Sequence, residues 1–284
     1  MRLVMTLLVK NEVDIIEKNI RFHHSQGVDA FCIMDNGSTD GTQDIIAKLQ
    51  KEFEIFLEIN LEKYNQGPWM TYLAKKSRQL FNADLIISND ADEFWVASTG
   101  NLKNHLSPSD SIVTVPRYNF LQSIDDMSSK VCFSKSLYKV VSPILYSKEQ
   151  QESKAELALL LAKISPKVIV NPNGLLKIKG GNHRAKHLKF WGHRECNDIE
   201  VHHYPIRNYS QFENNIINRK KLLDSSSNVR MGFHYKRWVR LYESGLLEDE
   251  FKKMSFDQAS MSFLIDLGVV ELASESLYSK LQRI

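Results

Sequence analysis

In the stretch LIISNDADEFW, Leu85 to Trp95, an apolar run ends abruptly in Asp90, Asp92 and Glu93. Three carboxylates within four positions repel one another unless a cation or bound protons intervene. Oxygen ligands at i and i+2 suit Mg2+ or Mn2+, and a divalent ion neutralises them without protonation. A metal held by one or two carboxylates keeps positions for substrate phosphates, so the chemistry indicated is diphosphate binding. A bare Asp-x-Asp pair is more often a capped turn or solvated loop. What raises this one is its place directly after an apolar strand.

Two further polar segments follow apolar runs in the same way. Lys10, Asn11 and Glu12 follow RLVMTLLV, and Asp35-Asn36-Gly37-Ser38 follows DAFCIM. Asp35 can accept hydrogen bonds from a base or ribose, and glycines at 37 and 41 let backbone approach a ligand. Six of the nine histidines lie between residues 183 and 234. Among them, His203 ends a predicted strand before Tyr204-Pro205 and is a candidate to complete a metal site. A lone histidine is more often a structural residue.

These segments need a frame that brings them together. Residues 2–9, 29–35, 55–59 and 83–90 read as strands, separated by helical patterns. Val13, Ile16, Ile20 and His23 share one helical face ahead of Gly27; Thr42 caps a helix carrying Ile45, Ile46 and Leu49; Pro68 suits a first helical turn. Strands alternating with single helices predict a parallel sheet with right-handed crossovers, and such sheets bind ligands at the C-terminal ends of their strands. The three polar segments should therefore converge in one crevice. Later in the chain, 110–120 and 198–205 read as strands, KVIVNPNGLLKIKGGNH as a hairpin turning at Asn171–Gly174, and Glu152–Lys163 as a helix. The segments from Tyr209 and from Phe233 are helical, which gives a C-terminal helical tail.

With 284 residues and 43% hydrophobic content the chain can bury a sizeable core. No run of about eighteen apolar residues predicts a membrane span, and MRLVMTLLVKNE reads as a first strand rather than a signal peptide. Cys32, Cys132 and Cys196 form neither a disulfide framework nor a metal pattern, which fits a reducing cytoplasm. The net charge of +3 hides an asymmetry, because Lys163 to Arg240 carries sixteen Lys/Arg against five Asp/Glu. Such a field favours an anionic ligand or membrane surface over a neutral partner. Arg219, Lys220, Lys221, Lys236, Arg237 and Arg240 are the residues expected to touch an anionic inner membrane peripherally; the alternative is a solvated basic face. Nucleic acid is not an expected partner.

MTLLVKNEVDIIEKNIRFHHSQGVDAFCIMDNGSTDGT, NQGPW and NDADEFW together resemble the bacterial glycosyltransferase family 2-like proteins, in the branch with a DADEF-type motif. HHYPIRNYSQF resembles a later element of that branch and of the related family 92-like enzymes. The likeness covers most of residues 2–100 and two islands near 180–184 and 202–212. It implies an α/β fold of GT-A type, with a Rossmann-like, mostly parallel central sheet flanked by helices. It also implies a domain over 1–205, with nucleotide-sugar binding in 1–100 and the acceptor side in 101–205, and a helical extension over 206–284 packed on the same domain. The implied activity is transfer of a sugar from a nucleotide-diphosphate sugar donor to a glycan or lipid-linked acceptor in surface polysaccharide synthesis, with Mn2+ or Mg2+.

Carried over by motif, Asp35 would contact the base, Asp90 the ribose or metal, Asp92 the metal, and His203 the metal or diphosphate. Arg207 would face phosphate, Gln66 and Trp69 would flank the donor pocket, and His183 would lie on the acceptor side. Lys10, Asn11, Glu12 and Asn36 complete the expected donor contacts. Many family 2 enzymes carry a Glu-Asp base that has no counterpart in residues 100–240 here, Asp125-Asp126 being a poor substitute. The candidates for catalytic base are His183, Glu93 and Glu195, with His183 first because a neutral imidazole accepts a proton near neutral pH. Two other readings stay open: a sugar-binding protein without catalysis on the same fold, and a metal-dependent phosphatase with an aspartyl nucleophile, disfavoured by Phe94 where that class has Thr or Val.

Overall fold

The computed structural model describes residues 1–124, 137–147, 150, 158–224 and 232–273. The chain divides into two units, one built mainly from Met1–Arg117 and Ser165–His203, the other from Tyr118–Ile164 and Tyr204–Ser279. Segment 118–164 thus groups with the later helices.

The first unit alternates β1 (Leu3–Val9), α1 (Ile16–Ser25), β2 (Ala30–Asp35), α2 (Thr42–Leu49), β3 (Ile55–Ile59), α3 (Gln66–Phe81) and β4 (Leu85–Asn89). After β5 (Glu93–Ala97) come β6 (Ile112–Val115), β9 (Lys167–Val170), β10 (Leu175–Ile178), β11 (Ala185–His187), β12 (His193–Glu195) and β13 (Ile199–His203). The central sheet has seven strands in the order β12-β6-β9-β4-β1-β2-β3. It is a mostly parallel sheet flanked by helices, as expected.

Both faces of this sheet are covered, which explains why its strands are almost continuously apolar. On one face Leu3, Met5, Leu7 and Val9 pack with Ile16, Ile20, Ile46 and Leu49 from α1 and α2. On the other, Val4, Ala30, Cys32 and Met34 pack with Met70, Leu73 and Ala74 from α3. Each such side chain contributes about 1.5–3 kcal/mol on burial. Val13 does not join its predicted face; it precedes the helix and is exposed. Asp40, not Thr42, supplies the capping oxygen for α2, accepting from the Thr42 N–H at 3.0 Å.

Strands β4, β1, β2 and β3 run parallel, with Val9 level with Asp35 and Leu7 level with Asn89. Their C-terminal ends therefore share one edge, where Lys10, Asn36 and Asp90 follow. Strand β9 enters antiparallel between β4 and β6, pairing Ile87 with Ile169. Its first residue, Lys167, therefore lies beside the end of β4. Strand β13 pairs antiparallel with β5 and sets His203 opposite Glu93.

Two expectations fail here. KVIVNPNGLLKIKGGNH is not a hairpin on itself. Its first half, β9, joins the central sheet, while β10 pairs with β11 instead. Four apolar or mixed residues fit an open slot between two strands as well as they fit a hairpin arm. The predicted strand 110–120 is broken at Pro116, which cannot donate to a ladder, into β6 and β7 (Arg117–Leu121). Part of the expected helix at Glu152–Lys163 and the Asp125-Asp126 pair lie outside the described residues; Leu159–Leu161 form a 3-10 turn.

In the second unit, β7 leads into a small sheet with β8 (Tyr138–Val140) and β14 (Val270–Leu272). The helices are α4 (Tyr209–Asp224), α5 (Phe233–Glu243), α6 (Leu247–Lys253) and α7 (Gln258–Asp266). Phe212, Ile216, Trp238, Leu247 and Met261 form its core. Arg237 is not outward-facing: it is buried and ion-paired with Glu250, which also accepts from Trp238 Nε1 at 3.2 Å. Lys220 pairs with Asp224 and Glu243, and the Arg219 guanidinium stacks on Tyr235. Among the described residues no helix is long and apolar enough to cross a membrane.

One buried polar group ties α1 to β5. His23 Nδ1 donates to the Asn19 carbonyl at 2.7 Å, so its Nε2 is the acceptor for the Trp95 N–H at 2.9 Å. Desolvation holds this imidazole down at about 3 from the ordinary 6.5, against the pull of Asn19 and of the Glu93 charge. A folded value below the unfolded one gives stability that is complete above pH 6.5 and is lost as pH falls toward 3. From this imidazole alone, denaturant unfolding between pH 6.5 and 5 should lose up to about 1.4 kcal/mol per pH unit. His23→Gln should remove that contribution and leave a shallower slope; an unchanged slope would contradict the assignment.

Candidate active site

The turn between β4 and β5 carries Asp90, Asp92 and Glu93, and its backbone is clamped from α1. Asn19 Nδ2 donates to the carbonyls of Ala91 and Glu93 at 2.8 and 2.9 Å. Asn89 donates to Asn19 Oδ1 and accepts from Trp95 Nε1. Asn19 and Asn89 are fully buried, so these bonds are held in a low-dielectric setting where they fix one conformation.

The positive partner of the carboxylates is a protein cation. Lys167, 0% exposed, sets its ammonium 2.5 Å from Asp90 Oδ2 and 3.0 Å from Glu93 Oε2. Arg117 Nη1 donates to Glu93 Oε1 at 2.7 Å. Glu93 is fully buried, and desolvation alone would push its carboxyl up. Lys167, then Arg117 and His203, outweigh that and hold it below the usual range. Asp90 goes the other way: desolvation and the nearby Glu93 and Asp92 charges raise it despite Lys167.

The remaining oxygen of Asp90 is also engaged. Oδ1 accepts from Gln66 Nε2 at 3.2 Å and Asn182 Nδ2 at 3.3 Å. Gln66 Oε1 accepts the Gly181 N–H at 2.7 Å, so the start of α3 and the Gly180–Asn182 turn both close on Asp90. Gly181 and Asn182 have positive φ, 80° and 57°, which suits a residue without Cβ and an asparagine.

The geometry redistributes the expected roles. Asp92, Glu93 and His203 are the group whose ligand atoms lie within 4.8 Å of one another, with His203 Nε2 3.6 Å from Asp92 Oδ2. Both oxygens of Asp90 are already engaged, by Lys167, Gln66 and Asn182. Both oxygens of Glu93 face cations inside the protein, Arg117 and Lys167. Glu195 is exposed on the edge strand β12.

His183 follows the Gly180–Asn182 turn. Its Nδ1 lies 2.9 Å from the Pro166 carbonyl, which can only accept, so Nδ1 carries the proton and Nε2 keeps its lone pair. Burial, with Lys167 and Arg117 nearby, lowers this imidazole to about 4.

At the end of β2, Asp35 is fully buried and Oδ1 accepts from the amides of Gly37 and Ser38 and from Gln43 Nε2, each at 2.8 Å. Its other oxygen, Oδ2, is buried with no hydrogen-bond partner among the described residues. Asn11 and Glu12 serve the frame: Asn11 Oδ1 accepts from Thr39, and the backbone N–H groups of Asn11 and Glu12 donate to Ser38 and Thr42. Asn36 donates to the Asn60 and Glu62 carbonyls, and Lys10 is exposed. Trp69 is buried in the α3 core against Tyr64. Arg207 belongs to the second unit, where it is buried and its backbone N–H donates to Gln211.

Sequence reasoning missed Lys167, Arg117, Asn182 and Asn19. One signal was available, a lysine opening the buried run KVIV, which must find an anion somewhere.

No protein-family model and no curated protein matches the chain. Among solved structures, S. aureus TarS residues 1–349 in complex with UDP-GlcNAc aligns over 90% of this chain and 74% of that one, at 10% identity and TM-score 0.42. HddC from Yersinia pseudotuberculosis aligns over 72% and 95%, at 12% identity and TM-score 0.36. Glucosyl-3-phosphoglycerate synthase from Mycobacterium tuberculosis, in complex with Mn2+, UDP-glucose and phosphoglyceric acid, aligns over 42% and 44%, at 17% identity and TM-score 0.28.

Removing the buried cation should be severe. Lys167→Met leaves buried Glu93 with Arg117 as its remaining cation and Asp90 with the amides of Gln66 and Asn182, and breaking a buried pair from one side costs about 3–5 kcal/mol. Urea unfolding at neutral pH measures it; a loss under about 1 kcal/mol would contradict the pairing.

Proposed function

We propose that the chain is a nucleotide-sugar-dependent glycosyltransferase of the GT-A type, acting on a glycan or lipid-linked acceptor of surface polysaccharide. The observation that carries the reading is the orphaned Asp35 Oδ2, buried at the same strand-end edge as Asp92 and His203. A buried acceptor without a donor costs about 1–3 kcal/mol, and an N–H or O–H of a nucleoside would satisfy it. Binding at this edge is also where open parallel sheets take nucleotides.

A divalent ion fits the remaining groups. Asp92 and His203 would hold it, since Glu93 is committed to Arg117 and Lys167. The nitrogen donor favours Mn2+ over Mg2+. When bound, the ion would supply positive charge to the donor diphosphate and its departing group.

The protein's own residues would do the rest. Lys167 and Gln66 hold Asp90 in place for the ribose. His183 Nε2 would take the proton of the acceptor hydroxyl, which inverting transfer requires. Burial first, then Lys167 and Arg117, hold this imidazole at about 4, where it accepts that proton poorly; an anionic donor would offset the part due to the two cations and strengthen it.

A thermal-shift panel of nucleoside diphosphates with and without Mn2+ tests the reading. A cognate ligand at about 100 times its dissociation constant should stabilise by roughly 2.7 kcal/mol. Asp92→Ala should abolish the Mn2+-dependent part and leave the fold intact. No shift with any nucleotide, or an unchanged Mn2+ dependence in Asp92→Ala, would refute it.

A further inference from the structure

The β10–β11 hairpin and the chain leaving it carry a surface that the catalytic reading does not use. Leu175 and Ile178 turn inward, but Leu176 and Leu188 are exposed, and Phe190 and Trp191 are 80% and 71% exposed. The two rings pack edge to face, 5.2 Å apart, so they project as one unit. Leu176, Leu188, Phe190 and Trp191 make a larger exposed apolar group than the pairs Ile59 with Leu61 or Ile144 with Leu145.

Charge accompanies them. From Leu175 to Trp191 the chain has five Lys/Arg and no Asp/Glu. None of the five is in an ion pair among the described residues. The ladder sets Lys177 directly opposite Lys186. Like charges facing each other across two strands destabilise a hairpin, and an anionic surface relieves that repulsion.

We propose that this hairpin is a docking surface for an anionic lipid bilayer, with Phe190 and Trp191 entering the headgroup region and the lysines facing lipid phosphate. Aromatic rings favour that interface, where an apolar body meets a wet boundary. Each lysine adds attraction to anionic lipid. The other occupants fit less well. A second copy of the chain would bring two like-charged hairpins together. A single-stranded nucleic acid would use the rings and lysines but leave Leu176 and Leu188 in water. The surface lies in the first unit and is separate from the basic residues of the C-terminal helices, among which Arg237 is buried and Lys220 is paired.

Trp191 is its own reporter, since Trp69, Trp95 and Trp238 are buried. The full chain is mixed at low salt with vesicles of phosphatidylcholine alone or with phosphatidylglycerol, without any nucleotide, so the outcome is separate from donor binding. Expected are co-sedimentation and a blue-shifted tryptophan emission with the anionic vesicles only. Phe190→Ser with Trp191→Ser should cut partitioning about tenfold or more, and Lys186→Glu with Lys189→Glu should do the same, both with unchanged melting temperature. No binding to either vesicle, equal binding to both, or binding undiminished in the aromatic variant would overturn the proposal. So would binding of soluble polyanions without vesicle binding.

Discussion

A single ammonium group, that of Lys167, decides how the acidic turn behaves. Placed between part-exposed Asp90 and buried Glu93, and itself shut off from water, it keeps the two neighbouring carboxylates compatible. Arg117 shares the load at Glu93. A cluster of this kind without internal cations would take up protons or move to the surface. The carboxylates deepest in the fold are therefore answered by the protein itself, and the side of the turn bearing Asp92 and His203 is the side proposed for a ligand's metal.

The topology makes that allocation possible. Lys167 reaches Asp90 because β9 runs antiparallel to β4, so the start of one strand meets the end of the other. His203 reaches the turn because β13 runs antiparallel to β5. The clamp from α1, through Asn19 and His23, then holds the turn's backbone so that these contacts are not averaged over many conformations. Strand direction, hydrogen bonding and charge thus converge on four consecutive residues, Asp90 to Glu93.

The alternating first half was legible because its signals are local. Continuous apolar runs, helical spacing and turn residues recur within short windows, and β1 to β4 with α1 to α3 follow them. The positions of Asp35, Asp90 and Asp92 at strand ends followed from the same pattern. What was not legible depends on distant partners. Nothing near Lys167 in the chain shows that Asp90 lies 77 residues earlier. Glu93 looked like one more reactive carboxylate because its cations, Arg117 and Lys167, come from strands later in the chain. Trp69 looked like a pocket wall, yet its spacing with Leu73 is also that of a core-facing helix stripe, and the core claimed it. The β9–β10 hairpin failed for a related reason, since a strand's partner is chosen by the sheet and not by its neighbour in sequence.

The central claim is that protein cations hold Asp90 and Glu93 while Asp92 and His203 face the metal of a bound nucleotide. Pulsed electron paramagnetic resonance of Mn2+ with a nucleoside diphosphate on the full chain tests it most directly. The account predicts a directly bonded 14N coupling that vanishes in His203→Gln and persists in Glu93→Gln. A bound Mn2+ with no nitrogen coupling, or one whose coupling survives in His203→Gln, would contradict it.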